Sequence, residues 1–185
     1  LLSTNLYPSV NSEQLSAVGE ALIGWFPDRV IVFRSVDQRK NPHVYQALEA
    51  NGYEMVLSRQ VWYMEPGEAV GTRQYKEDVR VLRNHGYEVV DGKDLSDEEL
   101  ARALHLYNLL YLEKYSYYNP QFTFDFMKLA RDEGILHLRA LKREGKINAV
   151  MGFFIRNGAM TQPLFGYDTS LPQEEGLYRL LTLIT

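Results

Sequence analysis

The most constraining feature of this sequence is a run of three apolar, β-prone segments separated by two tight-turn signals. Asn157-Gly158 is the strongest hairpin signal in the chain, because a type I′ turn needs positive φ at both central residues. Glu144-Gly145 is a second turn signal of the same kind. The sequence therefore predicts a three-stranded antiparallel meander with strands in residues 135–142, 147–156 and 159–167.

Helical signals surround this meander. Ser96 and Glu99 have the spacing of a capping box and precede apolar residues at helical intervals, so a helix is expected from residue 97 onward. A second helix is predicted over residues 122–132, and a third opens after Asp168 and continues to the end of the chain. With a short strand at residues 87–90, the expected order is strand, helix, helix, three-strand meander, helix.

The first part of the chain predicts an α/β alternation. Its pattern is typical of helices at residues 12–25 and 42–51 and of strands at residues 29–35 and 53–64. The segment from Pro66 to Gly71 interrupts both periodicities and is the expected junction. We therefore divide the chain into residues 1–66, a linker and helix at residues 67–84, and residues 85–185.

Composition excludes several classes of protein. The 185 residues are 45% hydrophobic, which is sufficient for a substantial core. The absence of cysteine excludes disulfides, thiolate zinc sites and a cysteine nucleophile. The formal charge of −4 lacks the basic excess of a nucleic-acid-binding protein.

No apolar run is long enough to cross a membrane, and a cytoplasmic location is expected. Leu1 and the unfinished last helix predict a segment of a longer protein.

The predicted order of elements in residues 85–185 resembles the N-terminal part of the GNAT acyltransferase fold. In that family the turn after the meander binds the pyrophosphate of acyl-CoA within the motif Gln/Arg-x-x-Gly-x-Gly/Ala, and Gln173 and Gly176 match its first two fixed positions. Tyr178 departs from the third. Residues 1–66 resemble the end of a preceding unit of this type. The resemblance thus implies an α/β (α+β) fold with a GNAT-like mixed sheet, in parts of two tandem units similar to the Fem-type aminoacyl transferases.

The resemblance implies that acetyl-CoA or another acyl-CoA binds at residues 173–177. These are Gln173, Glu174, Glu175, Gly176 and Leu177. A helix N-terminus offers unpaired N–H donors, and small residues let a phosphate approach closely. The alternative is ordinary helix capping by Ser170 with Gln173, although capping does not explain a glycine inside a helix. The two glutamates oppose a polyanion unless they point away.

Two residues at the end of the third meander strand are candidate catalytic groups. Asp168 would be the base that takes a proton from an amine, and Tyr167 would donate a proton to the leaving group. Each has a structural alternative. An aspartate before a helix is commonly a turn or cap residue, and a strand tyrosine commonly packs against its neighbours.

Candidate substrate-binding residues occur in both parts of the chain. Arg34 and Arg59 adjoin apolar strands, where an arginine can clamp a carboxylate or phosphate or form an internal salt bridge. Tyr111 and Tyr115 belong to a tyrosine-rich run that borders the acceptor site in a GNAT-like layout, or that packs in the core and its rim. The four histidines lack metal-ligand spacing, and no metal is expected.

The function expected from the resemblance is transfer of an acyl or aminoacyl group from a CoA-type thioester, or another activated carrier, to an amine acceptor. Two alternatives stay open. The first is a Fem-like enzyme that uses charged tRNA, which the acidic balance disfavours. The second is a catalytically silent GNAT-fold module that binds a partner protein, which Tyr178 and the two glutamates favour.

Overall fold

The computed structural model describes residues 6–58 and 60–185. The chain divides into two compact units, Leu1–Trp62 and Tyr63–Thr185, which we call the first and the second unit. Each unit has its own buried core.

The first unit contains two helices, α1 (Ser12–Trp25) and α2 (Pro42–Ala50), as the sequence predicts. Asn11 begins α1 with a capping box: its side chain accepts from the N–H of Gln14 at 2.8 Å, and the Gln14 side chain accepts from the N–H of Asn11 at 2.9 Å. Leu15 of α1 packs with Val44 and Leu48 of α2 in a small core.

The two strands predicted in the first unit are wrong for the residues that the structure describes. Residues 29–35 and 53–64, apart from Arg59, contain no strand. Val30 is 88% exposed and Leu57 93% exposed, whereas Phe33 and Tyr53 of the same segments pack against the small core without forming a strand. β-branched residues favour a pleated surface only when a neighbouring strand accepts their backbone hydrogen bonds.

The second unit has five α-helices, four strands, two 3₁₀ turns and one π-helix among the described residues. In chain order these are α3 (Pro66–Ala69), α4 (Arg73–Asn84), β1 (Glu88–Asp91), a 3₁₀ turn (Gly92–Asp94), α5 (Asp97–Tyr107), a π-helix (Asn108–Tyr115), α6 (Phe124–Asp132), β2 (His137–Arg143), β3 (Lys146–Arg156), β4 (Ala159–Tyr167), a second 3₁₀ turn (Gln173–Glu175) and α7 (Leu177–Leu183). The predicted capping box of Ser96 and Glu99 begins α5.

The four strands form one antiparallel sheet in the order β1-β2-β3-β4. The predicted meander is confirmed, and its two hairpins close as the sequence indicates. Asn157 and Gly158 have φ of 51° and 69°, and Glu144 and Gly145 have φ of 52° and 75°. These positive values fit type I′ turns, whose twist matches that of the strands they join. The protein is therefore a mixed α/β structure with an open antiparallel sheet.

Helices cover both faces of this sheet. On one face, Leu100 of α5 and Met127 of α6 belong to the same fully buried cluster as Val150 of β3. On the other face, Leu180 and Leu181 of α7 pack in a cluster with strand residues that include Met151 and Phe165, and Val81 of α4 packs against it. Successive side chains of β3 point to opposite faces of the sheet, so this strand contributes residues to both clusters. Each fully buried leucine contributes roughly 1.5–3 kcal/mol of hydrophobic stabilisation.

Strand β4 has two features that position its neighbours. Gly152 pairs with Leu164 and Phe154 pairs with Thr161, so Phe153 lies opposite two residues of β4 and the strand bulges there. At the other end of the strand, Gly166 lies against the last turn of α5. A Cβ atom on Gly166 would lie 2.5 Å from the backbone nitrogen of Tyr107. Glycine is therefore required for this close approach of helix and strand.

Candidate functional site

The candidate donor site is the turn between β4 and α7. The backbone N–H of Asp168 donates to the carbonyl of Asn148 at 2.8 Å, which holds the start of the turn against β3. Residues Gln173–Glu175 form the 3₁₀ turn, and α7 begins only at Leu177. Gln173 and Glu174 are exposed, whereas Leu177 is buried in the core beside Leu180. The five residues of the predicted donor site thus lie on one short segment with different environments.

Gly176 has the backbone conformation that joins the 3₁₀ turn to α7. Its φ and ψ are 65° and 24°, in the left-handed region that favours glycine. A Cβ atom there would meet only the carbonyl oxygen of Glu174, at 3.9 Å. The glycine therefore leaves open surface above the turn. Its φ value is the backbone reason for the glycine that capping alone does not explain.

The predicted cap by Ser170 is wrong. The Ser170 hydroxyl donates to Oδ1 of Asp168 at 2.5 Å, and the Ser170 backbone N–H donates to the same oxygen at 3.1 Å. No side chain caps the first turn of α7, whose N-cap is Gly176. Asp168 competes successfully for Ser170 because an aspartate two residues earlier can accept both groups in a local turn.

The Glu175 carboxylate is directed to the end of β2 and to the residue before β1. It accepts two hydrogen bonds from the guanidinium of Arg143, at 2.8 and 3.0 Å, and one from the hydroxyl of Tyr87 at 3.1 Å. The Arg143 guanidinium also lies 4.5 Å from the centroid of the Tyr87 ring. The hydrogen bonds from Arg143 hold the pKa of Glu175 below its ordinary value. We call Glu175, Arg143 and Tyr87 the anchor of the turn.

Asp168, the predicted base, is 5% exposed and forms an ion pair. Its Oδ2 lies 2.5 Å from the guanidinium of Arg102 and 3.4 Å from the ammonium of Lys146. Burial raises the pKa of Asp168, but the hydrogen bonds from Ser170 and the charges of Arg102 and Lys146 lower it more, so the pKa lies below its ordinary value. A carboxylate held ionised in this way is a weak proton acceptor.

Tyr167, the predicted proton donor, ends β4 and is half-buried. Its ring meets that of Phe165 edge to face, with 6.4 Å between centroids. The Phe165 ring in turn lies 5.3 Å from that of Tyr178 on α7. Tyr178 is 63% exposed, so its ring lies on the surface beside the turn and does not fill the core.

The two predicted substrate tyrosines lie on the π-helix. The Tyr111 ring meets that of Tyr115 edge to face at 6.0 Å, and burial, followed by the proximity of Tyr115 and Tyr178, raises the pKa of Tyr111. Tyr115 is 63% exposed. The Tyr111 and Tyr115 rings form one contacting pair, and the Tyr178, Phe165 and Tyr167 rings form a contacting series on α7 and β4. Tyr111 also packs against the buried cluster that contains Phe165, and we call these five residues the aromatic strip.

The π-helix is a feature that sequence reasoning missed. It continues α5 without a break, and it begins at Asn108, whose side-chain oxygen is buried without a hydrogen-bond partner. Tyr107, just before it, donates to the carbonyl of Pro120 at 2.6 Å, and burial raises the pKa of Tyr107 to about 12. π-helical turns are frequently found at functional sites. The signal in the sequence that marks this segment is its run of tyrosines, Tyr107, Tyr111 and Tyr115.

Both predicted arginines belong to the first unit of the chain. Arg34 is exposed in a turn of the first unit, where its carbonyl accepts a hydrogen bond from the hydroxyl of Tyr7 at 2.7 Å. Arg59 lies outside the described residues. Within the described ranges, no group of three histidine or acidic side chains could hold a metal ion. No helix in the same ranges has the length and apolar character required to cross a membrane.

No protein-family model, no curated protein and no solved structure matches this chain.

Proposed function

We propose that the second unit is part of an acyltransferase resembling the GNAT fold, which moves an acyl or aminoacyl group from a CoA-type thioester to an amine acceptor. The order of elements supports this proposal. A short strand, two helices, a three-stranded meander, a turn and a helix follow one another, and the strands pair in sequence order. The main observation in support of this proposal is the turn at Gly176. No side chain of the described residues covers Gly176, and the ion pair of Glu175 with Arg143 holds the turn against the sheet.

The donor phosphates would lie over Gly176, where no side chain blocks their approach. The main electrostatic objection to an anion at this turn is weakened, because the Glu175 carboxylate is neutralised by Arg143 on the side away from the surface. Glu174 is exposed and can remain in solvent. The anchor would therefore favour donor binding by removing one of two negative charges from the open face.

The acceptor would lie along the aromatic strip. In the proposed reaction, the amine nitrogen attacks the thioester carbonyl, a C–N bond forms, and the C–S bond breaks. Tyr167 is the proposed donor of a proton to the departing thiolate. The Asp168 carboxylate, already paired with Arg102, is a poor acceptor for the amine proton. We therefore propose that this proton leaves to solvent and that the Tyr167 phenolate regains a proton from solvent.

The test is calorimetric titration of the full chain with acetyl-CoA and with a long-chain acyl-CoA. Gly176→Trp places a bulky ring on the open surface and should weaken donor affinity about tenfold or more, which corresponds to at least about 1.4 kcal/mol. Gly176→Ala is the matched control, because its Cβ meets only the Glu174 carbonyl and it carries the same φ strain. Donor binding by Gly176→Trp equal to that of Gly176→Ala would refute the proposed site.

A second candidate function is a catalytically silent module of the same fold that binds a partner protein. The observation that favours it is the ion pair of Asp168, which leaves the predicted base with a lowered pKa. Acyl-CoA binding without acyl transfer to any amine would support this candidate. Absence of CoA binding, with a strongly salt-dependent affinity for charged tRNA, would instead support the Fem-like alternative.

A further inference from the structure

A separate cavity of about 140 Å³ opens in the second unit beside the beginning of β2. Its wall includes the end of β1 with the adjoining 3₁₀ turn, the segment after α6, and Phe153 of β3. None of its lining residues belongs to the turn at Gly176 or to the aromatic strip. A cavity of this size has room for a small ligand.

The lining of this cavity has an excess of cationic side chains. Lys93, Arg139 and Arg131 line it, together with His137, against one carboxylate, Asp91. Arg131 is already neutralised, because Asp97 and Asp132 lie 3.0 and 2.7 Å from its guanidinium. Lys93 has no ion pair within residues 6–58 and 60–185. The charge of Lys93 is therefore available to a ligand.

Aromatic packing fixes two of these groups. The Arg139 guanidinium lies 5.7 Å from the centroid of the Phe153 ring, and the His137 ring lies 5.2 Å from the same ring. Arg139 also donates to the carbonyl of Ile184, which uses only part of its five-donor guanidinium. A cation held in place before binding loses less conformational freedom when a ligand arrives.

The single carboxylate in the lining is turned toward its own backbone. Oδ1 of Asp91 accepts the N–H of Lys93 at 3.0 Å. The chain as a whole carries a formal charge of −4, so a general attraction for anions is not expected. A cationic cavity in an acidic protein is a local feature that selects negatively charged ligands.

We propose that this cavity binds a phosphate group, with Lys93 and Arg139 as its charged donors and His137 at its rim. A tetrahedral phosphate has enough acceptor oxygens for these groups at once, and it is small enough to enter the cavity. The proposal is independent of acyl transfer, because it shares no residue with the proposed donor site.

The test is calorimetric titration of the full chain with inorganic phosphate, with glycerol phosphate as a monoester, and with acetate, all at constant ionic strength. Phosphate should bind, acetate should bind much more weakly, and Lys93→Gln should weaken phosphate binding about tenfold. Lys93 is exposed, so this variant is expected to fold. Lys76→Gln, on the exposed face of α4, is the matched control for loss of one positive charge.

Two results would overturn the proposal. One is the absence of saturable phosphate binding by the wild-type chain at millimolar concentrations. The other is an equal loss of affinity in Lys93→Gln and Lys76→Gln, which would indicate only non-specific charge. Binding of glycerol phosphate together with inorganic phosphate would identify a monoester as the ligand, and binding of inorganic phosphate alone would identify the free ion. Gly176→Trp should leave phosphate binding unchanged, which separates this site from the donor site.

Discussion

The packing of Gly166 against α5, the helix that the π-helix continues, makes a quantitative prediction about the stability of the second unit. In Gly166→Ala, the new Cβ would lie 2.5, 2.6 and 2.8 Å from three backbone atoms of Leu106 and Tyr107. Real Cβ atoms essentially never come closer than 3.0 Å, so the helix and strand must separate by about half an ångström. Backbone atoms cannot rotate aside as a long side chain can. Overpacking of this kind costs about 1–3 kcal/mol, and we expect the upper part of that range.

The assay is urea unfolding followed by far-ultraviolet circular dichroism, with hydrogen exchange measured on peptides from β4 and the π-helix. Both tryptophans, Trp25 and Trp62, lie in the first unit, so intrinsic fluorescence does not report directly on this packing. Gly158→Ala is a control at a glycine whose Cβ would meet nothing within 4 Å. It should lose only the stability that corresponds to the strain of an alanine at positive φ, about 1 kcal/mol. A Gly166→Ala protein within about 0.5 kcal/mol of wild type would refute the reasoning.

Three further predictions concern charged and phenolic groups. Arg102→Leu leaves Asp168 buried without its main charged partner and should destabilise the second unit by about 1–3 kcal/mol. Because the pKa of Asp168 is lowered on folding, its stabilisation is present above the ordinary carboxyl pKa and is lost as pH falls, and the variant should show a weaker acid dependence in urea unfolding. Arg143→Gln should increase hydrogen exchange in residues 173–176, because Glu175 loses its paired hydrogen bonds. Tyr107, with its pKa raised to about 12, should make the protein less stable as pH rises above about 10, and Tyr107→Phe should reduce that loss in alkaline unfolding curves.

Each of these predictions has a result that would contradict it. An Arg102→Leu protein with wild-type stability and acid dependence would mean that solvent, not the ion pair, compensates Asp168. Unchanged exchange at residues 173–176 in Arg143→Gln would show that the turn is held by its backbone alone. Identical alkaline unfolding curves for wild type and Tyr107→Phe would mean that the Tyr107 phenol is accessible to solvent in the folded protein.

The meander could be predicted from sequence because its signals are local. The positive φ of a type I′ turn restricts the turn residues, and Asn157-Gly158 meets that restriction without reference to any other part of the chain. The capping box at Ser96 is local in the same sense, since both its hydrogen bonds close within four residues. Such signals predict element type and boundaries even where the tertiary partners are not known.

The strands predicted in the first unit failed for the opposite reason. An apolar, β-branched segment such as residues 30–32 forms a strand only where another strand supplies hydrogen bonds, and that is a property of the fold. The π-helix was missed for a related reason. A shift of the backbone N–H donors from the i−4 to the i−5 carbonyl leaves no characteristic periodicity in a segment as short as Asn108–Tyr115.

Glu175 shows how the candidate site differs from its sequence pattern. In the sequence, two adjacent glutamates beside a glycine oppose a bound phosphate, and this favoured a silent module. In the structure, Arg143 approaches from β2, which is distant in sequence, and binds the Glu175 carboxylate on the inner side of the turn. Glu175, which would repel the phosphates of a donor if it were unpaired, therefore holds the turn against the sheet through its ion pair with Arg143. Because one arginine both neutralises Glu175 and fixes its position, loss of Arg143 should weaken any anion binding over Gly176 along with the order of the turn. Independence of the two effects would mean that the anchor is structural alone.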